Sequence, residues 1–146
     1  MNKSELVGQL ETVLATSYAL YAKTQNFHWN VTGPNFMSLH AVFEEQYTDL
    51  AGAIDEAAEL IRGLGYRVPA IQGLLASNDI LKNAPDIIST KGMIEILGDD
   101  QAKTISVLQS ALSTAQKYAD EVVSDFLIGR QAVHRKNRWI LNAMSE

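Results

Sequence analysis

Apolar residues recur at intervals of three and four along most of the chain, the period of a helix with one buried stripe. In the first run Leu6, Leu10, Val13, Leu14, Tyr18 and Tyr21 share a face, and Ser4 is placed to cap it. This predicts a helix from about Ser4 to Phe27 or a little beyond. The turn formers Asn30-Val31-Thr32-Gly33-Pro34-Asn35 follow, and a second stripe begins at Phe36: Leu39, Phe43, Tyr47, Leu50, Ile54, Ala57, Ile61 and Leu64. The second helix ends near Gly63 or Gly65. Residues 65–89 hold two prolines and two asparagines, with room for one short helix around Ile71 to Ala76. After a Ser89-Thr90 cap signal, Ile94, Leu97, Ile105, Leu108, Leu112 and Ala115 form a third stripe, to about Ala119. A fourth starts at Asp120, its stripe read as Val122, Phe126, Gly129, Val133, Ile140 and Met144. Pro34, Pro69 and Pro85 lie between these blocks and interrupt none of them.

Two helical hairpins joined by one long crossover form the ferritin-like arrangement of a four-helix bundle, so the expected fold is all-α with a short extra helix in the connection. A length of 146 residues suits a single domain, 1–146, and 47% hydrophobic with 20% charged residues is ordinary globular composition. There is no cysteine, which removes thiolate metal sites, disulfides and thiol nucleophiles and leaves His, Asp and Glu as the metal ligands available. No strand pattern, internal repeat or Gly-rich phosphate loop is present. The uncharged stretch from Thr12 to Ala22 is 11 residues, short of the ~20 that span a bilayer, and Glu5 and Glu11 break any signal-peptide reading. The expected location is the cytoplasm, the nucleoid included. A net charge of −5 makes nucleic acid an unfavoured default partner.

Candidate chemistry gathers in the first two helices, at His28, His40, Glu44, Asp55 and Glu59. His40 with Glu44, and Asp55 with Glu59, are i,i+4 pairs and so share a helix face. Eleven residues separate Glu44 from Asp55, about 20° past three full turns, which puts all four side chains on one stripe. At ~1.5 Å per residue the two pairs are roughly 16 Å apart, too far to hold one ion. Two copies of the helix crossing antiparallel about a two-fold axis near residues 49 and 50 would bring the His40/Glu44 end of each to the Asp55/Glu59 end of the other. The small residues Ala51, Gly52 and Ala53 near that axis permit close approach. The stripe is offset by one residue from the apolar one, so it faces a flank of the bundle. His28, two residues before the turn, stands at the height of His40 and continues the series Leu14, Tyr21, His28. A lone helix histidine is ordinarily structural and flank carboxylates ordinarily solvated; the joint spacing and its two-fold solution favour ligands. The core-facing Glu-x-x-His motifs of a conventional di-iron bundle are missing, which disfavours a site within one subunit.

The run Asn26-Phe27-His28-Trp29-Asn30-Val31-Thr32-Gly33-Pro34-Asn35-Phe36, then Leu39-His40, then Asp55-Glu56-x-x-Glu59, resembles the signature of the Dps family of mini-ferritins, DNA-protection proteins of starved bacteria. The likeness extends over nearly the whole chain, to the long second connection and to a C-terminal helix with His134 and Trp139. It implies a hollow shell of twelve subunits that oxidises Fe(II), preferably with hydrogen peroxide, and stores ferric mineral. His28, His40, Asp55 and Glu59 match the family's ferroxidase pattern, and Glu44 stands where the family has Asp. By resemblance His28, His40 and Glu44 come from one subunit and Asp55 and Glu59 from its neighbour. Imidazole with carboxylate oxygen suits iron. Trp29 would pack over the site or in the subunit interface. Asp120, Glu121 and Asp125 open the last helix, where carboxylates meet the helix dipole; the family places iron-entry pores there, which makes Asp120 and Asp125 pore candidates. His134 lacks a helical carboxylate partner and is read as structural.

Some relatives bind DNA through lysine-rich terminal tails. Here Met1, Asn2 and Lys3 precede the first cap and Ser145-Glu146 end the chain, so DNA binding is expected to be weak or absent. Arg130, Arg135, Lys136 and Arg138 are read as a solvated or interface face of the last helix. The competing reading is a non-enzymatic nucleoid-binding or structural shell protein whose metal site is weakened by Glu44.

Overall fold

The computed structural model describes residues 2–146. Among them are α1 (Ser4–Asn30), α2 (Phe36–Gly63), the short α3 (Ile71–Ser77), α4 (Thr90–Lys117) and α5 (Glu121–Met144), and no strand. The apolar stripes of α2 and α4 fall where the periodicity puts them: Leu39, Phe43, Leu50, Ala57 and Ile61 on α2, and Ile94, Leu97, Leu108, Leu112 and Ala115 on α4, are all buried.

The helix ends show why the chain breaks where it does. At the end of α2 the Tyr66 N–H donates to the Ile61 carbonyl and the Gly65 N–H to that of Arg62, a Schellman closure with Gly65 at φ 91°. The same closure ends α4, with Asp120 N–H to the Ala115 carbonyl and Ala119 N–H to that of Gln116. Here the left-handed residue is Ala119, at φ 53°, the one non-glycine residue with positive φ among those described. Asp120 then caps α5, its side chain accepting from the Val123 N–H at 3.1 Å, and Ser89 caps α4 through the Gly92 N–H at 3.0 Å. Ser4 is not a cap. It is the first residue of α1; Lys3 occupies the cap position, and the Ser4 N–H donates to Asn2 Oδ1 instead.

One apolar cluster joins Leu6 and Leu10 of α1, Ala57 and Ile61 of α2, Leu108, Leu112 and Ala115 of α4, and Val123 and Leu127 of α5. Another joins Leu20 and Phe27 of α1, Leu39, Phe43 and Leu50 of α2, Met93 and Leu97 of α4, and Leu141 of α5. The first therefore gathers the C-terminal halves of α2 and α4, and the second their N-terminal halves. The two helices run parallel, and the chain must climb back the full length of the bundle between them. That is the crossover containing α3.

Between the two clusters lies a polar layer. Lys23 Nζ meets Asp100 at 2.6 Å, and His134 Nδ1 meets Gln101 Oε1 at 2.6 Å. Arg130 grips both oxygens of Asp49, at 3.2 and 2.9 Å, and approaches His134 Nε2 at 3.1 Å. This layer corrects two expectations. The buried face of α5 is Val123, Phe126, Leu127, Arg130, Gln131, His134, Asn137 and Leu141, while Val122 and Gly129 are exposed. The periodicity of apolar residues picked the neighbouring stripe because half of the true one is polar. Arg130 also leaves the solvated basic face, which retains Arg135, Lys136 and Arg138. His134 is structural: wholly buried, it is held neutral by burial and by the Arg130 charge beside it, with its pKa lowered to about 3.

Candidate metal centre

The tight turn at 31–35, with Gly33 at φ 101°, sets the end of α1 beside the start of α2. His28 and His40 consequently face each other at one height. Their rings stack with centroids 3.8 Å apart and planes 13° from parallel. Each ring also binds the other residue's backbone: His28 Nδ1 lies 2.7 Å from the His40 carbonyl oxygen, and His40 Nδ1 lies 2.8 Å from that of His28. The His28 carbonyl belongs to the last turn of α1, where carbonyls lack partners within the helix, so the His40 ring caps α1. A carbonyl oxygen only accepts, and this assigns a proton to each Nδ1. With Nδ1 so engaged, Nε2 is the ring nitrogen left for a ligand, and an outer hydrogen bond to a carbonyl orients each ring as in metal-binding histidines.

The pair is held on both sides by aromatic rings. Phe36 stacks on His40 at 4.9 Å, and Tyr47 meets the edge of His28 at 5.3 Å with Tyr21 behind it at 5.7 Å. Glu44 is one turn on from His40 and exposed; Asp55 and Glu59 are exposed on the same helix. Fifteen residues of helix separate His40 from Asp55, about 22 Å along the axis. Among the described residues no three His, Asp or Glu side chains of one chain converge on a metal position. The structure thus joins His28 to His40 and leaves the three carboxylates apart. Of the small residues near the midpoint of α2, Ala51 and Gly52 are exposed, whereas Ala53 is buried in the chain's own core and is not available to a second copy.

A ferritin-like domain family matches residues 7–146. The DNA protection during starvation protein 2 of Bacillus anthracis is 34% identical over 143 residues, covering 98% of this chain and 97% of that protein. The solved structure of Dps from Staphylococcus aureus superposes with a TM-score of 0.93 at 34% identity, over 99% of this chain and 97% of that one. The chain belongs to the Dps family. A third relative, the Dps protein of Vibrio cholerae O1, matches with a TM-score of 0.91 and 32% identity over 99% of this chain and 91% of that one, and is described as a ferritin-like diiron-carboxylate protein.

In this Dps chain the start of α5 is acidic. A cleft of about 410 Å³ is lined by Asp120, Glu121, Ser124 and Asp125 with Gln116 and Ile128. Asp120 is already engaged: one oxygen accepts from the Val123 N–H and the other meets Lys3 Nζ at 2.9 Å. Burial pushes its pKa up, but those two partners outweigh it and hold the carboxyl below the usual range. Asp125 is exposed. Trp29, next to His28, is 62% exposed, and Met37 in the first turn of α2 is also exposed. Among the described residues no helix is long and apolar enough to cross a membrane. The buried Lys23–Asp100 pair and the pair of buried Arg130 with half-exposed Asp49 were missed from the sequence; the i,i+4 spacing of Arg130 and His134 was the one signal available, and only for the second.

Proposed function

We propose that this Dps chain is an iron-sequestering ferroxidase, assembled as a hollow dodecamer of two-fold dimers, that oxidises Fe(II) with hydrogen peroxide and stores the ferric mineral. His28, His40 and Glu44 of one subunit and Asp55 and Glu59 of its two-fold partner bind the substrate iron. The observation that carries this reading is the stacked, reciprocally hydrogen-bonded histidine pair, in which each Nδ1 is engaged by a backbone carbonyl and Nε2 is left for a ligand. Residues serving only to pack the hairpin would not need both rings locked in one tautomer. Exposed carboxylates on α2 complete a mixed nitrogen and oxygen set suited to iron.

Two Fe(II) ions each give up one electron, the peroxide O–O bond breaks, and two protons are taken up to yield two waters and two Fe(III). Carboxylates bridging paired ions let both electrons pass together, which avoids hydroxyl radical and accounts for a protective role. Asp125 and Asp120 at the start of α5 would line the route by which iron enters at a three-fold axis, with Asp125 the freer of the two.

Anaerobic Fe(II) titration of the assembled protein, followed by hydrogen peroxide, should give fast ferric absorbance that is lost in a His28→Ala/His40→Ala control. Mixing separately inactive His28→Ala and Asp55→Ala subunits under exchange should restore part of the activity; no recovery with exchange confirmed refutes the shared site. A second reading, a structural or nucleoid-associated shell without catalysis, is favoured by Glu44 alone. It predicts assembly with oxidation no faster than the control. DNA retardation in a gel-shift assay should be weak at neutral pH, since Arg135, Lys136 and Arg138 face a net charge of −5.

A further inference from the structure

The polar layer across the bundle contains more hydrogen-bonding capacity than the protein itself satisfies. Gln46 on α2 is 3% exposed, and neither its Oε1 nor its Nε2 has a partner in the protein. Asn137 on α5 is 8% exposed with Nδ2 unpaired, and Gln101 Nε2 on α4 is unpaired as well. That leaves three amide donors and one acceptor buried within one layer, a state native proteins strongly avoid. Gln46 and Asn137 form part of the wall of a cleft of about 220 Å³ between α2 and α5, whose other lining includes Glu45, Asp49, Val133 and Lys136. Such a space holds several molecules of water size.

The charges nearby decide what fits. Arg130 is matched by Asp49, and Lys23 by Asp100, so the layer is neutral in pairs. A cation would find both Asp49 oxygens taken by Arg130 and, of the lining carboxylates, only Glu45, which is exposed to water at the rim. An anion would enter past Glu45 and Asp49. The occupant is a small neutral molecule that both donates and accepts: it gives a hydrogen bond to Gln46 Oε1 and receives from the Gln46 and Asn137 amide groups.

We propose that the α2/α5 cleft is a binding site for small neutral hydroxylic molecules, water or hydrogen peroxide, held by Gln46 and Asn137. The site is independent of the histidine pair and does not rest on the ferroxidase reading.

The test is a crystal structure of the iron-free assembled protein at a resolution that orders water, before and after a hydrogen peroxide soak. One or more density peaks bridging Gln46 and Asn137 are expected. Spherical peaks in both crystals assign water as the ligand, and elongated peaks after the soak assign peroxide; a dry cleft, or amides bonded only to one another, overturns the proposal. A stability measurement gives a second readout. Gln46→Met keeps the volume and removes both polar atoms. If the amide is hydrated, the thermal midpoint stays unchanged or falls; if the amide is dry and orphaned, relief of that burden raises it by roughly 3 °C or more, and a rise of that size overturns the proposal.

Discussion

The most exposed consequence of the buried layer is its response to acid. His134 titrates at about 3 in the folded chain against 6.5 for a free imidazole, with burial the larger cause and the Arg130 charge the next. The fold therefore prefers the neutral ring. Above pH 6.5 neither state is protonated there and the residue costs nothing; as pH falls from 6.5 toward 3 the unfolded chain takes up a proton that the folded chain refuses, and stability is lost. At ~1.4 kcal/mol per pH unit, the loss is about 2 kcal/mol by pH 5 and approaches roughly 5 kcal/mol at the bottom of the window. Asp100 works in the opposite direction, because burial, against the Lys23 ammonium, raises its pKa, so acid relieves it. The His134 contribution must accordingly be isolated by a variant. His134→Gln offers an amide donor for Gln101 and a carbonyl acceptor for Arg130 without a titrating group. Urea unfolding of iron-free protein at fixed subunit concentration, from pH 7 to pH 5, should show wild type losing about 2 kcal/mol more than the variant, even if the variant starts lower. Parallel losses would refute the reasoning, since they would place the acid sensitivity elsewhere.

Ala119→Gly should raise stability by about 1 kcal/mol in the same assay, because the α4 closure holds an L-residue at φ 53° where glycine has no penalty. Arg130→Met should cost about 2 kcal/mol and Asp49→Asn less: the arginine leaves the buried His134 Nε2 without its donor, whereas the half-exposed Asp49 can turn to water. Glu44→Asp, which shortens the carboxylate arm by one methylene, should tighten the weaker of the two iron equivalents in anaerobic titration if the longer side chain displaces its carboxylate from the ion. Identical titrations in the two proteins would show that Glu44 reaches the metal equally well.

Much of this fold was legible because α2 and α4 bury plainly apolar stripes, and because Gly65, Ser89 and Asp120 mark their boundaries by chemistry that sequence displays. The histidine pair was legible in position, through the length of the turn between the helices. Its tautomers were not, since they depend on which carbonyls the rings meet after the hairpin closes. α5 was misread for a physical reason: Arg130, Gln131, His134 and Asn137 occupy its buried face, and burial of polar groups rests on partners drawn from other helices, Asp49 and Gln101 among them. Hydrophobic periodicity cannot see a face whose burial is satisfied at that distance. The Ser4 cap failed more locally, because Asn2, two residues earlier, supplies the oxygen.

The same layer explains why the candidate chemistry lies on the flank of the bundle. A metal centre at mid-bundle needs several carboxylates aimed inward with no competing cation. At that level this chain presents Arg130 on Asp49 and Lys23 on Asp100, each carboxylate already neutralised, and beyond them only amides and a histidine whose Nε2 accepts from Arg130. A divalent cation entering there would have to displace a guanidinium or an ammonium from its partner and would meet the released charge as a repulsive neighbour. At the α1/α2 hairpin no such competitor stands beside His28 and His40, and the nearest carboxylates, on the exposed face of α2, carry no arginine or lysine partner among the described residues. Ion pairing therefore leaves the bundle interior no free carboxylate for a cation, and the proposed metal centre lies instead on a surface that would need a second chain to complete it, which is the arrangement the subunit-mixing experiment interrogates.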